Sequence, residues 1–110
     1  MTGAPPDPHR ALTRAILAGL DPASATIESD SQTPWASATF CGARHQFAVT
    51  VAGDDAVAAA ARLSRMINED RVLIAGHIIA DIVLECHQLV QSLGAPHIAL
   101  GIEALTVSAA

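Results

Sequence analysis

The longest apolar segment of the chain runs from Arg71 to Val90, and the polar residues within it are regularly spaced. His77, Asp81 and Glu85 follow one another at intervals of four residues. An apolar run of this kind fits both the period of a strand and the period of a helix. A helix would place the three polar side chains on one arc and would end at Gly94.

We favour a strand for this segment because it is rich in β-branched residues and begins near Gly76. Residues 97–107 also have the pattern of a strand, so the two segments are expected to form a hairpin. The even positions of the first strand would face one side of the sheet. The odd positions would face the other side: His77, Ile79, Asp81, Val83, Glu85 and His87.

Two further segments have the spacing of amphipathic helices. The first begins with Asp7 as the N-cap and Pro8 as the first helical residue, and it ends before Asp21-Pro22. The second begins at Gly53-Asp54 and ends near Asn68. The apolar stripes are Leu12, Ala15, Ile16, Gly19 and Leu20 in the first helix, and Val57, Ala60, Leu63, Ser64 and Ile67 in the second. The outward positions of the second helix are Asp55, Ala59, Arg62 and Arg65.

The stretch between the helices predicts β structure. Apolar and polar residues alternate weakly along Ser24–Asp30, which indicates a short exposed strand. Residues 31–34 would form the turn that ends it. Residues 35–51 predict a β-hairpin with its turn at Cys41-Gly42, where glycine would supply the positive φ of a tight turn.

The register of that hairpin has two solutions. A two-residue loop at Cys41-Gly42 groups Phe40 with His45 and Phe47, whereas a three-residue loop that ends at Gly42 places Trp35 beside Phe47. We favour the first because it gathers the apolar residues on one face.

Together these elements predict an α+β fold. The helices and strands follow the order α-β-β-α-β-β, which is a permuted ferredoxin-like arrangement, and Ser24–Asp30 would add a strand before the first hairpin. We expect a two-layer sandwich in which two helices cover one face of an antiparallel sheet of four or five strands. Residues 1–6 would be a flexible leader, and residues 7–110 a single domain.

Composition narrows the class of function. Of the 110 residues, 51% are hydrophobic and 15% are charged, which argues against disorder and leaves apolar surface for an oligomer. The net charge is −5 and all six basic residues are arginine, so a basic stripe for nucleic acid is not expected. The arginine-only, alanine-rich usage indicates a bacterial genome of high GC content.

Other patterns bear on compartment and cofactors. Cys41 and Cys86 are expected to be free thiols in a reducing compartment. The N-terminus lacks the pattern of a signal peptide, and no run reaches the ~18 apolar residues of a membrane span. The sequence has no glycine-rich phosphate loop, nucleophile elbow or zinc-ligand spacing. We therefore predict a cytoplasmic protein without a membrane span or cofactor.

The candidate ligand-binding residues are those with hydrogen-bonding or titrating side chains near the two hairpins. An arginine fork and neighbouring imidazoles suit an anion or a carboxylate. The spacing of His77, Asp81 and Glu85 allows a shared metal only in a helix, because each step along a strand is about 13 Å. No metal is expected in the favoured strand. The set is Arg44, His45, His77, Asp81 and Glu85.

Two functions follow from these patterns. The first is a self-associating protein-interaction domain without enzymatic activity, most simply a homodimer, whose interface candidates are Trp35, Ile79 and Val83. The second is a small-molecule binding protein or enzyme in which the five candidate side chains converge on one pocket. The second hypothesis requires convergence, whereas the first allows these side chains to be dispersed.

Overall fold

The computed structural model describes residues 7–20, 25–53, 56–69, 74, 76–92 and 95–108, and the side chains of all but 86–92 and 95–96 among these. The leader predicted for residues 1–6 lies outside the described residues. So do the predicted helix end at Asp21-Pro22 and the proposed cap at Asp54.

Two helices and four strands follow one another along the chain. In order, they are α1 (Pro8–Ala18), β1 (Ala25–Ala36), β2 (Cys41–Ala52), α2 (Ala56–Asn68), β3 (His77–Ser92) and β4 (Ala95–Ser108). The strands form one antiparallel sheet in the order β1-β2-β4-β3, so β1 and β3 are the edges. The predicted α+β class with an antiparallel sheet is confirmed, and the described sheet has four strands.

The start of α1 is the one that the sequence predicts. The Asp7 carboxylate accepts a hydrogen bond from the His9 backbone N–H at 2.9 Å, and Pro8 occupies the first turn. Leu12, Ile16 and Leu20 are buried, as their helical spacing indicates.

The buried face of α2 shares Ala60, Leu63 and Ile67 with the predicted stripe but is rotated from it. Ala59 is buried, and the Val57 side chain is 61% exposed. The predicted end at Asn68 is confirmed. In an alanine-rich helix several stripes have similar hydrophobicity, so the packing against the sheet selects the phase. Here Ala56, Ala59 and Ala60 allow a close approach to the sheet.

The first hairpin turns earlier than predicted. Residues 37–40 make the turn, in which the Ser37 N–H donates to the Phe40 carbonyl at 2.7 Å and the Phe40 N–H donates to Ser37 Oγ at 3.1 Å. Residues 31–34 belong to β1, which is one continuous strand. The predicted turns at 31–34 and at Cys41-Gly42 are therefore wrong. Both predicted registers are also wrong, because Ala36 pairs with Cys41.

Glycine is needed at position 42 for a reason other than turn geometry. It lies inside β2, and a Cβ at this position would clash with the backbone carbonyl of Thr106 in β4. A glycine can therefore mark a close approach of two strands as well as a turn.

One face of β2 is buried as predicted. His45, Phe47, Val49 and Val51 alternate with more accessible residues. They pack with both helices and β4 in one core, whose other large members are Leu12, Ile16, Leu20, Leu63, Ile67, Ile98, Leu100 and Ile102.

The segment that follows Gly76 is a strand, so the helical alternative is wrong. The prediction that all its odd positions share one face is also wrong. The pairing of β3 with β4 shifts register between Ile79 and Asp81, where a β-bulge exchanges the two faces. His77 is therefore on the same side as Ile79, which packs against the core, whereas Asp81 is exposed on the opposite side.

The bulge also places Asp81, Val83 and Glu85 on a polar, accessible sheet surface. We call it the open face and define it by Arg44, Gln46, Asp81, Val83, Glu85 and Glu103, which are all exposed. Within the described residues, no helix has the length and apolar character needed to cross a membrane.

Candidate functional site

The five predicted ligand-binding residues are divided between the two faces of the sheet. Arg44, Asp81 and Glu85 are exposed on the open face, where they border a groove of about 630 Å³. His45 is fully buried beneath the other face, and His77 lies on that same side. The structure therefore brings together two subsets, and no single cleft holds all five.

The open face is weakly paired. The Arg44 Nε atom lies 3.7 Å from Glu103 Oε1, and both side chains are more than half exposed. An exposed pair of this kind contributes little to stability. Asp81 and Glu85 also border the groove, so carboxylates there exceed the single guanidinium of Arg44. This charge balance disfavours an anionic ligand on the open face.

On the core side, four polar side chains form a continuous hydrogen-bonded chain, which we call the histidine chain. Asp30 Oδ2 lies 2.9 Å from His9 Nε2, and His9 Nδ1 lies 2.9 Å from His45 Nδ1. His45 Nε2 then lies 2.8 Å from Thr106 Oγ1. The chain runs from an exposed carboxylate to a fully buried imidazole and a buried hydroxyl.

The four groups lie on four elements, α1, β1, β2 and β4, and two local features orient them. The Asp7 cap holds His9 in the first turn of α1. The bulge in β1 between Ile27 and Ser29 turns Asp30 to the side of Phe47, its partner in β2. The His9 ring stacks on Phe47 with centroids 4.8 Å apart, and on His45 at 5.2 Å.

The short contact between two Nδ1 atoms requires one donor and one acceptor. With both rings neutral, Thr106 donates to His45 Nε2, His45 Nδ1–H donates to His9, and His9 Nε2–H donates to Asp30. When His9 is protonated, it donates to Asp30 and to His45. His45 then donates from Nε2 to Thr106, whose hydroxyl donates to the Ala43 carbonyl at 3.3 Å. One proton on His9 therefore reverses the tautomer of His45.

His45 itself is held neutral. Its burial, together with the neighbouring His9 and His77, lowers the pKa of His45 to about 4, although Asp7 acts in the opposite direction. A neutral imidazole with both ring nitrogens bonded is a satisfied buried group. The His45 ring connects the outer pair to Thr106 without carrying charge itself.

A second hollow, which we call the end cleft, lies where α1 begins beside the end of the sheet. Its volume is about 530 Å³, and its lining includes Pro8, Trp35, Cys41, His77 and Thr106. The Nε1 atom of Trp35 is buried, and it has no hydrogen-bond partner among the residues that the structure describes. Thr106 joins this cleft to the histidine chain.

The predicted interface residues have three different environments. Trp35 lines the end cleft, Ile79 packs against the core, and Val83 is 45% exposed on the edge strand β3. Ile78, which the sequence did not single out, is 58% exposed on the same strand.

Three members of the histidine chain were also missed from the sequence: His9, Asp30 and Thr106. They are distant along the chain, and β1 carries Asp30 to the core side only because of a bulge. One signal was available, because His45 alternates with Phe47, Val49 and Val51, and a histidine at such a position must find buried partners.

Comparison with protein-family models gave no match, and comparisons with curated proteins and with solved structures gave no significant similarity.

Proposed function

We propose that this protein is a self-associating interaction domain, in which the edge strand β3 of one copy pairs with β3 of a second copy. The observation that carries the proposal is the exposure of two large aliphatic side chains on that edge. Ile78 is 58% exposed and Val83 is 45% exposed. A long apolar edge strand presents unpaired backbone groups that favour pairing with another strand.

The two edges of the sheet differ in how well they are protected. β1 is polar along most of its length and contains Pro34, which has no backbone N–H to donate. β3 has no proline, and its open-face charges are Asp81 and Glu85. Pairing of β3 with β1 of another copy is therefore disfavoured. Pairing of β3 with itself closes about a two-fold axis and gives a dimer.

The bulge in β3 selects the register of that pair. In antiparallel strands, residues directly opposite one another point to the same face. The bulge puts odd-numbered residues before it and even-numbered residues after it on the core side of β3. All opposite pairs within residues 77–84 therefore share a face only if the two-fold axis passes between Ala80 and Asp81. Ile78 of each copy then lies opposite Val83 of the other. The two exposed aliphatic side chains thus cover each other.

The same register matches the core side of the strand. Ile79 lies opposite Ile82 of the second copy, and His77 lies opposite Leu84. Ile79, Ile82 and Leu84 are partly buried against the core of one copy. Pairing would remove more of their surface from water, which is favourable in proportion to the apolar area covered.

The carboxylates on β3 support this register as well. It places Asp81 opposite Ala80 and Glu85 opposite Gly76 of the second copy. A pair centred on Val83 would instead set Asp81 against Glu85, and like charges directly opposite each other are destabilising.

For the single copy, we propose the two-layer arrangement with both helices on one face and the permuted ferredoxin-like order. Its support is the composition of the core, which unites side chains of α1 and α2 with alternate residues of β2 and β4. The exposed open face is consistent with this layering.

The test compares two lysine substitutions at equally exposed valine and isoleucine positions. Ile78→Lys would place a charge in the dimer contact, and we expect it to weaken dimerisation by roughly tenfold or more. Val57→Lys on α2, where the valine is 61% exposed, should leave dimerisation unchanged. Light scattering after size-exclusion chromatography measures both.

A wild-type mass near the 11.3 kDa of one chain across micromolar concentrations would refute the proposal. Equal effects of the two substitutions would refute the β3 contact. The register has its own test, with Cys41 and Cys86 replaced by serine in all variants. Mixing Ile78→Cys with Val83→Cys chains under oxidation should give a disulfide-linked dimer, and neither variant alone should do so efficiently.

Small-molecule binding is the second candidate function. The pocket of Arg44, His45, His77, Asp81 and Glu85 has no support, because these side chains lie on two faces. A different place supports it, namely the end cleft, whose volume of about 530 Å³ lies within the usual range for small-molecule sites.

A further inference from the structure

We infer that the open face of one copy binds the exposed side of α2 of another copy, through arginine–carboxylate pairs and a short apolar contact. The two surfaces are different parts of the chain, so the contact is heterologous and can continue from copy to copy. The inference goes beyond the proposed pairing of β3 and does not depend on it, because that pairing leaves the open faces accessible.

The exposed side of α2 is the first of the two surfaces. Val57, Ala58, Ala61, Arg62 and Arg65 are all exposed, and the Val57 side chain is 61% exposed. Residues three and four apart are neighbours on a helix, so these five side chains form one strip. The strip is apolar in the first half of the helix and basic in the second half.

The open face carries a strip that matches it. Glu103, Leu105 and Val107 occupy alternate positions of β4, and the exposed Glu103 fixes their direction toward the open side of the sheet. Val107 pairs with Ile78 of β3, which is 58% exposed. This surface therefore changes from acidic to apolar along the strand.

The two strips have similar lengths. The helix rises about 12 Å from Val57 to Arg65. The strand extends about 13 Å from Val107 to Glu103. A helix that lies along β4 can therefore place Arg65 beside Glu103 while its first turn covers Leu105 and Val107.

Charge selects this occupant. Among the described residues of the open face, Asp81, Glu85 and Glu103 outnumber Arg44. The described charges on the exposed side of α2 are positive in sum, even with Glu69, which follows the helix. A second open face would bring like charges together, and an anionic lipid surface or a nucleic acid would be repelled. Opposite charges favour association and fix the direction of the contact.

The test exchanges the charges of the two surfaces. One variant carries Arg62→Glu and Arg65→Glu, and the other carries Glu85→Arg and Glu103→Arg. Each variant alone sets like charges against each other, so neither should form this contact. An equimolar mixture restores opposite charges at every contact. At low salt and high micromolar concentration, we expect its weight-average mass to exceed that of either variant alone by at least about twofold, because each copy joins two neighbours.

A matched control lies on the other helix. Arg10 and Arg14 are exposed on α1, and Arg10→Glu with Arg14→Glu changes the net charge by the same amount as the α2 variant. This control should associate like the wild type at low salt. Sedimentation velocity measures the wild type, the variants and the mixture.

Three results would overturn the inference. The first is a mixture of the charge-exchanged variants that is no larger than either variant alone. The second is an equal loss of mass in the α1 control and the α2 variant. The third is a wild-type mass that stays the same between about 0.02 M and about 0.5 M NaCl, since salt should screen this contact. The third result needs no variant to fold.

The same measurements separate this contact from the proposed β3 dimer. At about 0.5 M NaCl the charges are screened, so the wild-type mass then reports the β3 pairing alone. A mass of two chains there supports β3 pairing, and a mass of one chain contradicts it. Growth on mixing the charge-exchanged variants tests the α2 contact in either case.

Discussion

At the scale of single residues, His45 shows how a buried polar group is made compatible with an apolar core. It is fully buried, and each ring nitrogen has a partner, His9 on one side and Thr106 on the other. Two hydrogen bonds replace those that the ring would make with water, and the ring remains neutral because a charge at this depth would be costly.

This burial predicts a dependence of stability on pH. The pKa of His45 falls from 6.5, its ordinary value, to about 4 in the folded protein. Below pH 6.5 the unfolded chain therefore binds a proton that the folded chain does not, and the free energy of unfolding decreases. The slope approaches about 1.4 kcal/mol per pH unit, and the loss ends near the folded pKa.

Urea denaturation between pH 7.5 and pH 4 measures that slope, and His45→Gln is the comparison. The variant should be less stable at neutral pH by about 1–3 kcal/mol, since His9 and Thr106 lose a partner. Its stability should fall less steeply with acid than that of the wild type, because every other titrating group is unchanged. Parallel pH curves for the two proteins would show that His45 does not carry the effect.

At the scale of elements, local irregularities decide which side chains meet. Bulges in β1 and β3 turn Asp30 toward His9 and exchange the faces of β3. Gly42 also acts at this scale, because the missing side chain lets β2 approach the Thr106 carbonyl of β4. The pairing of these two central strands also holds His45 beside Thr106.

Gly42→Ala tests this close approach. The added methyl group must push β2 and β4 apart, so we expect a destabilisation of about 1–3 kcal/mol. Cys41→Ala at the neighbouring exposed position is the control and should change stability by no more than about 0.5 kcal/mol. Thermal unfolding by circular dichroism measures both variants. Equal melting temperatures for Gly42→Ala and Cys41→Ala would contradict the packing role.

At the scale of the whole molecule, the chain is elongated, with principal extents of 50 × 30 × 24 Å. The sheet has one polar edge, one apolar edge and an open face rich in carboxylates. Association through the apolar edge would join the two sheets side by side and leave both open faces accessible.

Dimerisation through this edge predicts that stability depends on protein concentration. A folded dimer in equilibrium with unfolded monomers gains stability as concentration rises. The midpoint of thermal unfolding of the wild type should therefore increase between low and high micromolar concentrations. For Ile78→Lys it should increase less over the same range. A constant midpoint for the wild type, measured by calorimetry, would contradict a dimer that forms at micromolar concentrations.

Much of the fold was accessible from the sequence, because hydrophobic periodicity reports which face of each element is buried. It predicted the buried stripe of α1, the buried face of β2 and the hairpin of β3 and β4, and the preference of Asp and Pro for helix starts predicted the Asp7 cap. It failed for the first turn, for the phase of α2 and for the faces of β3. In each case several local solutions had similar energy, and contacts with distant residues selected one of them.

The candidate sites were less accessible for the same physical reason. The sequence by itself determined the class of fold and the apolar face of β2 on which His45 lies, since both follow from short-range alternation. Only the tertiary structure placed His9, Asp30 and Thr106 around His45 and left the Trp35 indole without an acceptor among the described residues. A bulge in β1 and the close approach of β2 and β4 decided the contacts around His45, and a bulge in β3 decided which of its side chains face the core, because a shift of one residue reverses the face that a side chain occupies.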